Sequence, residues 1–242
     1  WGEPLEVQHI KDVPGAEYLF WVGCMGAFDD GGRSVAASLV KVLRAAGIAF
    51  GTLGAEEKCC GDSARRLGNE YLFQSLAAEN IGLLERYGVR KIVTVCPHGY
   101  NTLKHEYPKL GLRAVEVLSH VELIAGLIRD GRLDLKPEAA GPYTFHDPCY
   151  LGRHNGLIEE PRSVLRAAFG GRPRELGRHG DGSFCCGAGG GLMWTEESLG
   201  SRINRLRADE VVASGAPLAA AACPFCLTML RDGLKDKGRE DV

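Results

Sequence analysis

Residues 91–99 read Lys91-Ile92-Val93-Thr94-Val95-Cys96-Pro97-His98-Gly99, and residues 217–226 read Pro217-Leu218-Ala219-Ala220-Ala221-Ala222-Cys223-Pro224-Phe225-Cys226. Each is an apolar run of strand length that delivers a cysteine and is followed at once by proline. Working outward, the other cysteines fall into the same two sets. Cys24, the pair Cys59–Cys60 and Cys96 are followed by Cys149, the pair Cys185–Cys186 and Cys223 with Cys226. The offsets between the sets are 125, 126 and 127 residues. A glycine follows each pair (Gly61, Gly187) and a proline each later cysteine (Pro97, Pro224). One half has therefore been duplicated, with two single-residue insertions.

Each half alternates strands and helices. In the first, Tyr18–Gly23 is an apolar strand ending at Cys24, and Ser34–Ala46 has helical spacing (Val35, Leu39, Val42, Leu43) stopped by Gly47. Asp62–Tyr87 reads as one long helix behind Cys59–Cys60, Lys91–Val95 as a strand, and Ala114–Leu118 and Val121–Ile128 as a further strand and helix. In the second, Tyr143–His146 leads to Cys149, Glu159–Phe169 and Ser198–Ala213 read as helices, and Pro217–Ala222 as a buried strand. This alternation predicts an α/β fold of two similar, Rossmann-like halves, each with a parallel sheet. The break from Gly131 to Pro142 divides the chain into residues 1–136 and 137–242. The charged tail after Arg231 is expected to fray.

In such sheets the strands end on one edge, and helices begin there with unpaired amides outward. The three cysteine groups of each half fall near these strand ends and helix starts. Residues some 35 apart in sequence can thus converge on one site, where helix amides favour thiolates.

Bulk composition excludes some classes. With 242 residues, 45% hydrophobic and 25% charged side chains and a net charge of −2, the chain lacks the basic excess of a nucleic-acid or anionic-membrane binder. The longest uncharged run near the start, Tyr18 to Phe28, is too short to span a bilayer, and acidic residues rather than a basic signal region precede it. The expectation is a chain with no transmembrane segment, in the cytoplasm, and held at the inner face of a membrane through other domains or partners. Trp1 rather than Met at position 1 fits a processed form or a segment of a longer polypeptide. Nine cysteines in CC and CxxC groupings suit metal ligation in a reducing compartment better than a disulfide framework.

Iron–sulfur chemistry and structural zinc are the competing readings, with disulfides or plain core cysteines behind them. Zinc sites gather two short CxxC or CxxH knuckles around one tetrahedral ion, which adjacent Cys–Cys ligands suit poorly. A cluster of several irons spreads its ligands over a wider cage.

The duplicated pattern C-x(~35)-CCG-x(~35)-CPxC resembles the cysteine-rich CCG domain of heterodisulfide reductase subunits and of related glycolate, lactate and electron-transfer-flavoprotein oxidoreductases. The stretches Glu56–Phe73, His146–Asn155, Phe184–Glu197 and Ala222–Leu230 are most similar to the cytoplasmic module of electron-transfer flavoprotein:menaquinone oxidoreductases. The resemblance implies that Cys149, Cys185, Cys186, Cys223 and Cys226 bind a non-cubane [4Fe–4S] cluster. The first half departs from that set, since Gly99 stands in the place of Cys226. Its four thiols, Cys24, Cys59, Cys60 and Cys96, are left for an ordinary cubane, a non-cubane cluster short of one thiolate, or no stable group. His98 is a candidate substitute ligand, but its counterpart is Phe225, which points to packing.

The resemblance also implies a redox partner, a flavoprotein or ferredoxin-like domain, and a membrane subunit or domain that reduces quinone. Two activities follow: relay of single electrons from flavoprotein toward quinone, and reductive cleavage of a disulfide. A zinc-binding scaffold stands outside both. Disulfide cleavage by two facing non-cubane clusters requires the full ligand set in both halves, and the Gly99 substitution favours relay.

The remaining features have ordinary readings beside functional ones. The run Gly187–Gly191 fails the dinucleotide fingerprint, because Leu192 stands at the last glycine's place, and is expected instead to let backbone approach a cluster. His146 and His154 are candidates for proton transfer or substrate orientation, with Asp147 beside them as a cap for the following turn. Lys58, Arg65, Arg66, Arg153, Arg202 and Arg205 could balance cluster charge or lie on exposed helix faces. Trp21 and Trp194 could shield a cluster or pack in the core. His9, His105, His120 and His179 lack ligand spacing.

Overall fold

All four side chains of Tyr18–Trp21 (β1) are buried, as expected of a strand covered on both faces, and every pairing it makes is parallel. The computed structural model describes residues 2, 5–137, 141–196 and 200–242. The expectations for Trp1, for residues 138–140 of the linker, for Glu197 and for the first two residues of the Ser198–Ala213 helix lie outside the described residues. The chain divides into two compact units, Trp1–Leu133 and Asp134–Val242.

In the first unit β1 lies between β2 (Phe50–Gly51) and β3 (Lys91–Thr94), and β3 pairs with β4 (Glu116–Ser119), giving the order β2-β1-β3-β4. The register sets Trp21 against Thr94, so β1 and β3 end level on one edge. From that edge the chain enters α1 (Gly23–Phe28), α2 (Asp30–Ala45), α3 (Asp62–Arg66), α4 (Glu70–Arg86) and α5 (Pro97–Asn101), and β4 leads into α6 (His120–Arg129). Asp29 caps α2 by accepting from Gly32 N at 2.7 Å, and Ala36, Leu39, Val40 and Leu43 make its buried face. A Cβ on Gly32 would stand 2.2 Å from the Met25 carbonyl oxygen, so only glycine lets α2 pass α1 this closely.

The second unit repeats the plan with β6 (Arg174–Glu175), β5 (Tyr143–His146) and β7 (Leu218–Ala221) in that order, all parallel. His146 and Ala221 are paired at the strand ends, the places of Trp21 and Thr94. The helices are α7 (Gly152–Asn155), α8 (Glu159–Phe169), α9 (Ile203–Ala213) and α10 (Pro224–Lys235). Leu176, Ala208, Val211, Leu230 and Leu234 form its apolar core.

Several boundaries differ from the sequence reading. The long helix Asp62–Tyr87 is two: Gly68 takes φ +86°, and Asn69 starts α4 afresh by accepting from Leu72 N at 3.1 Å. The strand Tyr18–Gly23 stops at Trp21, because Gly23 opens α1 and carries Cys24 into a helix. The second-half helix begins at Ile203 rather than Ser198, and β7 is only partly buried. The tail does not fray at Arg231, since α10 continues to Lys235 with Leu234 in the core.

Candidate metal centre

In the first unit the loop after β2 brings Cys59 and Cys60 to the edge where β1 releases Cys24 and β3 releases Cys96. Cys59 is the hub. Contacts from the thiols of Cys24 and then Cys60, with the Gly61 amide 3.4 Å from its sulfur, pull its pKa down to about 3. The same contact pushes the Cys24 and Cys60 thiols up, and burial adds to it. Cys96 is buried and close enough to act electrostatically on both.

Residues that the sequence did not mark hold this loop. Asn80 Nδ2 donates to the Cys59 carbonyl (3.1 Å) and to Tyr107 Oη (3.0 Å), Tyr107 Oη donates to the Cys60 carbonyl (3.1 Å), and Lys58 N donates to Asn80 Oδ1 (3.2 Å). Glu57 accepts from the amides of Gly23 (2.6 Å) and Val22 (3.0 Å), tying the loop to the start of α1. Burial outweighs those two bonds and raises its carboxyl to about 7. No spacing rule links Asn80, Tyr107 and Glu57 to the cysteines; only the fold does.

His98 is buried with Nδ1 2.7 Å from Asp62 Oδ2. Asp62 also accepts from Arg66 Nε (3.1 Å), and Glu106 pairs with Arg65 (2.6 Å) and with Arg66. Burial alone would raise the Asp62 carboxyl, but His98 and then Arg66 prevail and lower it. Arg65 and Arg66 thus belong to an ion network behind the thiols.

The second unit assembles five thiols in the same way. Cys185 is lowered to about 2 by the thiols of Cys149 and Cys186, with the Gly187 amide 3.2 Å from its sulfur. Cys226 contacts both Cys186 and Cys223, which, with burial, push its thiol far up. A ring nitrogen of His146 and the sulfurs of Cys186 and Cys226 lie within 4.8 Å of one another. His146 Nδ1 accepts from Arg207 Nε at 3.0 Å, and burial first, then the Arg207 charge, lowers its pKa to about 3. The imidazole is therefore neutral. Arg207, fully buried, also donates to the Arg178 carbonyl (2.9 Å) and Ser183 Oγ (3.3 Å) and pairs with Glu210. Its place on α9 carries no signal in the sequence, where it is one arginine among many.

Other candidates are placed elsewhere. His154 is exposed, its ring centroid 4.9 Å from that of Tyr150. Asp147 is not a local cap: its carboxylate accepts two bonds from Arg162 (2.6 and 2.9 Å) and one from Gly180 N (2.8 Å). Arg153 donates to the carbonyls of Ser183 (2.5 Å) and Asp181 (3.2 Å), and Arg205 pairs with Asp236 (2.7 Å). Lys58 is exposed, while Arg202 Nε is buried without a partner among the described residues. A Cβ on Gly187 would stand 3.1 Å from Ile203 Cβ, so this glycine serves close packing against α9. Trp194 is 63% exposed and Trp21 fully buried. His9 caps a short turn by accepting from Lys11 N (3.2 Å), and His179 Nδ1 lies 2.8 Å from the Leu176 carbonyl. Burial takes His120 down to about 4.

These donor sets fit a sulfur-ligated metal group. The thiols are crowded so that contact pulls Cys59 and Cys185 down and pushes Cys24, Cys60, Cys149, Cys186 and Cys226 up; a soft multi-metal group lets several neighbouring thiolates coexist.

Comparison with known proteins agrees. The family model described as "Cysteine-rich domain" (CCG) matches twice, at residues 18–104 and 143–231. The chain is 47% identical over 232 residues to the EtfAB:quinone oxidoreductase of Syntrophomonas wolfei, covering 93% of this chain and 32% of that protein. It is 48% identical over 225 residues to the probable iron-sulfur-binding oxidoreductase FadF of Bacillus subtilis, with the same coverage. A subunit of the dihydromethanophenazine:CoB–CoM heterodisulfide reductase of Methanosarcina barkeri is 31% identical over 238 residues, 96% of this chain and 58% of that one. The chain thus spans about a third of the first two relatives and somewhat over half of the third. Relatives are named as iron–sulfur oxidoreductases and reductase subunits.

Proposed function

This chain belongs to the cysteine-rich CCG domain family, and from that premise we propose that it is the electron-relaying module of an iron–sulfur oxidoreductase. The observation that carries the reading is the convergence of thiols at two strand edges, four in one unit and five in the other. In this reading Cys149, Cys185, Cys186, Cys223 and Cys226 hold a non-cubane [4Fe–4S] cluster, and Cys24, Cys59, Cys60 and Cys96 hold a second [4Fe–4S] cluster. The two domains run over residues 1–136 and 137–242. A bound cluster supplies acceptance and release of single electrons.

The chain's own residues supply the rest. Gly61 and Gly187 direct amides at the hub sulfurs, and Arg207 sets a buried positive charge behind His146 to favour added negative charge at the second site. Electrons come from a flavoprotein or ferredoxin-like domain and go toward a quinone through a membrane subunit or domain. No described helix is long and apolar enough to cross a membrane. The working location is the cytoplasm, at the inner face of the membrane. The 31% identity to the heterodisulfide reductase relative supports a second reading, thiol–disulfide reduction, in which His146 orients the substrate.

Anaerobically purified protein is expected to be brown, with about eight irons and eight sulfides per chain. Cys226→Ser should alter one EPR signal and Cys96→Ser the other. Oxidised protein should accept electrons from reduced electron-transfer flavoprotein, and the reduced protein should pass them to a quinone analogue without releasing thiols from small disulfides. Rapid thiol release would replace relay by disulfide reduction, and colourless zinc protein would end both.

A further inference from the structure

Among the matched positions at which the two sites differ, three lie around the fifth thiol. Trp21 and Thr94 close β1 and β3 as register partners, where the second unit has His146 and Ala221. Gly99 follows Cys96 by three residues, as Cys226 follows Cys223. The exchanges compensate. Two side chains are larger in the first unit, and one has lost everything beyond Cα.

Geometry shows where the volume went. A Cβ built on Gly99 would have Thr94 Oγ1 at 3.8 Å and Trp21 Cδ1 and Nε1 at 3.9 Å as its nearest neighbours. A Cβ alone would fit. The sulfur beyond it is another matter, because in the second unit the sulfur of Cys226 lies within 4.8 Å of the His146 ring nitrogen. In the first unit the indole of Trp21 faces that position, 3.9 Å from the Cβ built on Gly99. Trp21 is fully buried, and its Nε1–H has no hydrogen-bond partner among the described residues. Thr94 Oγ1, the nearby acceptor, is engaged by the Cys96 amide at 3.3 Å. A buried N–H without an acceptor is unfavourable, and a bound group with sulfur acceptors would satisfy it.

We propose that Trp21 sets the ligand number of the first site: its indole takes the place of a fifth thiolate, and its Nε1–H donates to the sulfur-ligated group held by Cys24, Cys59, Cys60 and Cys96. The inference rests on the reading that the first unit binds a cluster. It makes the first site a four-thiolate site by construction of its walls, so that restoring Cys at position 99 does not by itself restore the five-thiolate site. It also gives the two sites different potentials, because a donated hydrogen bond stabilises the more negative, reduced form.

The test uses the anaerobically reconstituted full chain. Iron and sulfide analysis with the Cys96→Ser and Cys226→Ser variants first establishes whether both units bind clusters. Four irons whose signal responds only to Cys226→Ser would overturn the cluster reading of the first unit and this proposal with it. With eight irons, Trp21→Phe is expected to lower the midpoint of the Cys96-dependent signal alone, by roughly tenfold in the oxidised-to-reduced ratio, about 59 mV for one electron. It should also remove an exchangeable-proton coupling seen by pulsed EPR after transfer to D2O. An unchanged midpoint and coupling would overturn the proposal while leaving the cluster reading intact. Gly99→Cys keeps Trp21 in place and answers independently of how Trp21→Phe folds. It should retain the four-thiolate signal, and the double variant Trp21→His with Gly99→Cys should acquire the spectrum of the second site. Conversion by Gly99→Cys alone would refute the role given to the indole.

Discussion

Replacing Arg162 by Leu should destabilise the second unit by about 3 kcal/mol and loosen the metal site proposed there. Arg162 on α8 and Asp147 just after β5 are both buried, and two guanidinium nitrogens reach the two carboxylate oxygens at 2.6 and 2.9 Å. Arg162 also holds Glu175 of β6 at 2.7 and 2.8 Å and the Ile158 carbonyl at 2.7 Å. Removing one partner of a buried pair costs about 3–5 kcal/mol, chiefly because the other charge is left without compensation. The lower end applies here, since Asp147 keeps the Gly180 amide at 2.8 Å and Glu175 is partly exposed. Such a loss corresponds to about 6–12 °C in melting temperature for a chain of this size. The damage reaches the site through backbone: Ser183 Oγ donates to the Asp147 carbonyl at 3.0 Å, and Asp147 and Ser183 each lie two residues before a site cysteine, Cys149 and Cys185. Urea unfolding of the holoprotein under argon, with oxygen-driven bleaching of the second-site signal, provides the assay. A double-mutant cycle with Asp147→Asn should return about 2 kcal/mol of coupling, the double variant being milder than the sum. A single-variant cost under about 1 kcal/mol, or coupling near zero, would refute the claim that this pair braces the Cys149 turn.

Three further outcomes are expected. His120, with a folded pKa of about 4 against a free value near 6.5, leaves the unfolded chain binding more protons between those limits, so its share of stability is full above pH ~6.5 and declines below it. His120→Gln should therefore remove roughly 1–1.5 kcal/mol of the stability lost between pH 7.5 and 5.5, and parallel pH profiles in urea would contradict this. Gly233→Ala, whose Cβ would stand 2.6 Å from the Asn204 carbonyl oxygen, should cost about 1–3 kcal/mol by prying α10 from α9, whereas Gly82→Ala, in open space on α4, should gain about 0.5–1 kcal/mol in the same melts. Arg207→Gln should lower the midpoint of the Cys226-dependent EPR signal and leave the other in place; equal shifts of both would deny Arg207 a local electrostatic role.

The amino-acid sequence by itself determined the duplication, the α/β alternation and which thiols come together in each unit, because those features repeat at regular offsets and follow the periods of strand and helix. Lys91–Gly99 announces a strand delivering a cysteine, and β3 with Cys96 at its end is what the chain builds. Strands of two residues, such as β2 and β6, escape notice because no periodicity can develop over so short a run. The helix break at Gly68 is hidden because flanking apolar spacing continues through it, while a single left-handed residue is enough to end the hydrogen-bond ladder. Only the tertiary structure decided what surrounds the thiols. Arg207 behind His146, Asn80 and Tyr107 under the Cys59–Cys60 loop, Arg162 on Asp147 and the indole of Trp21 beside Gly99 are long-range contacts between residues of ordinary type. Their roles come from burial and from the direction of a polar group once packed, quantities that exist only when the sheet edges bring distant segments together.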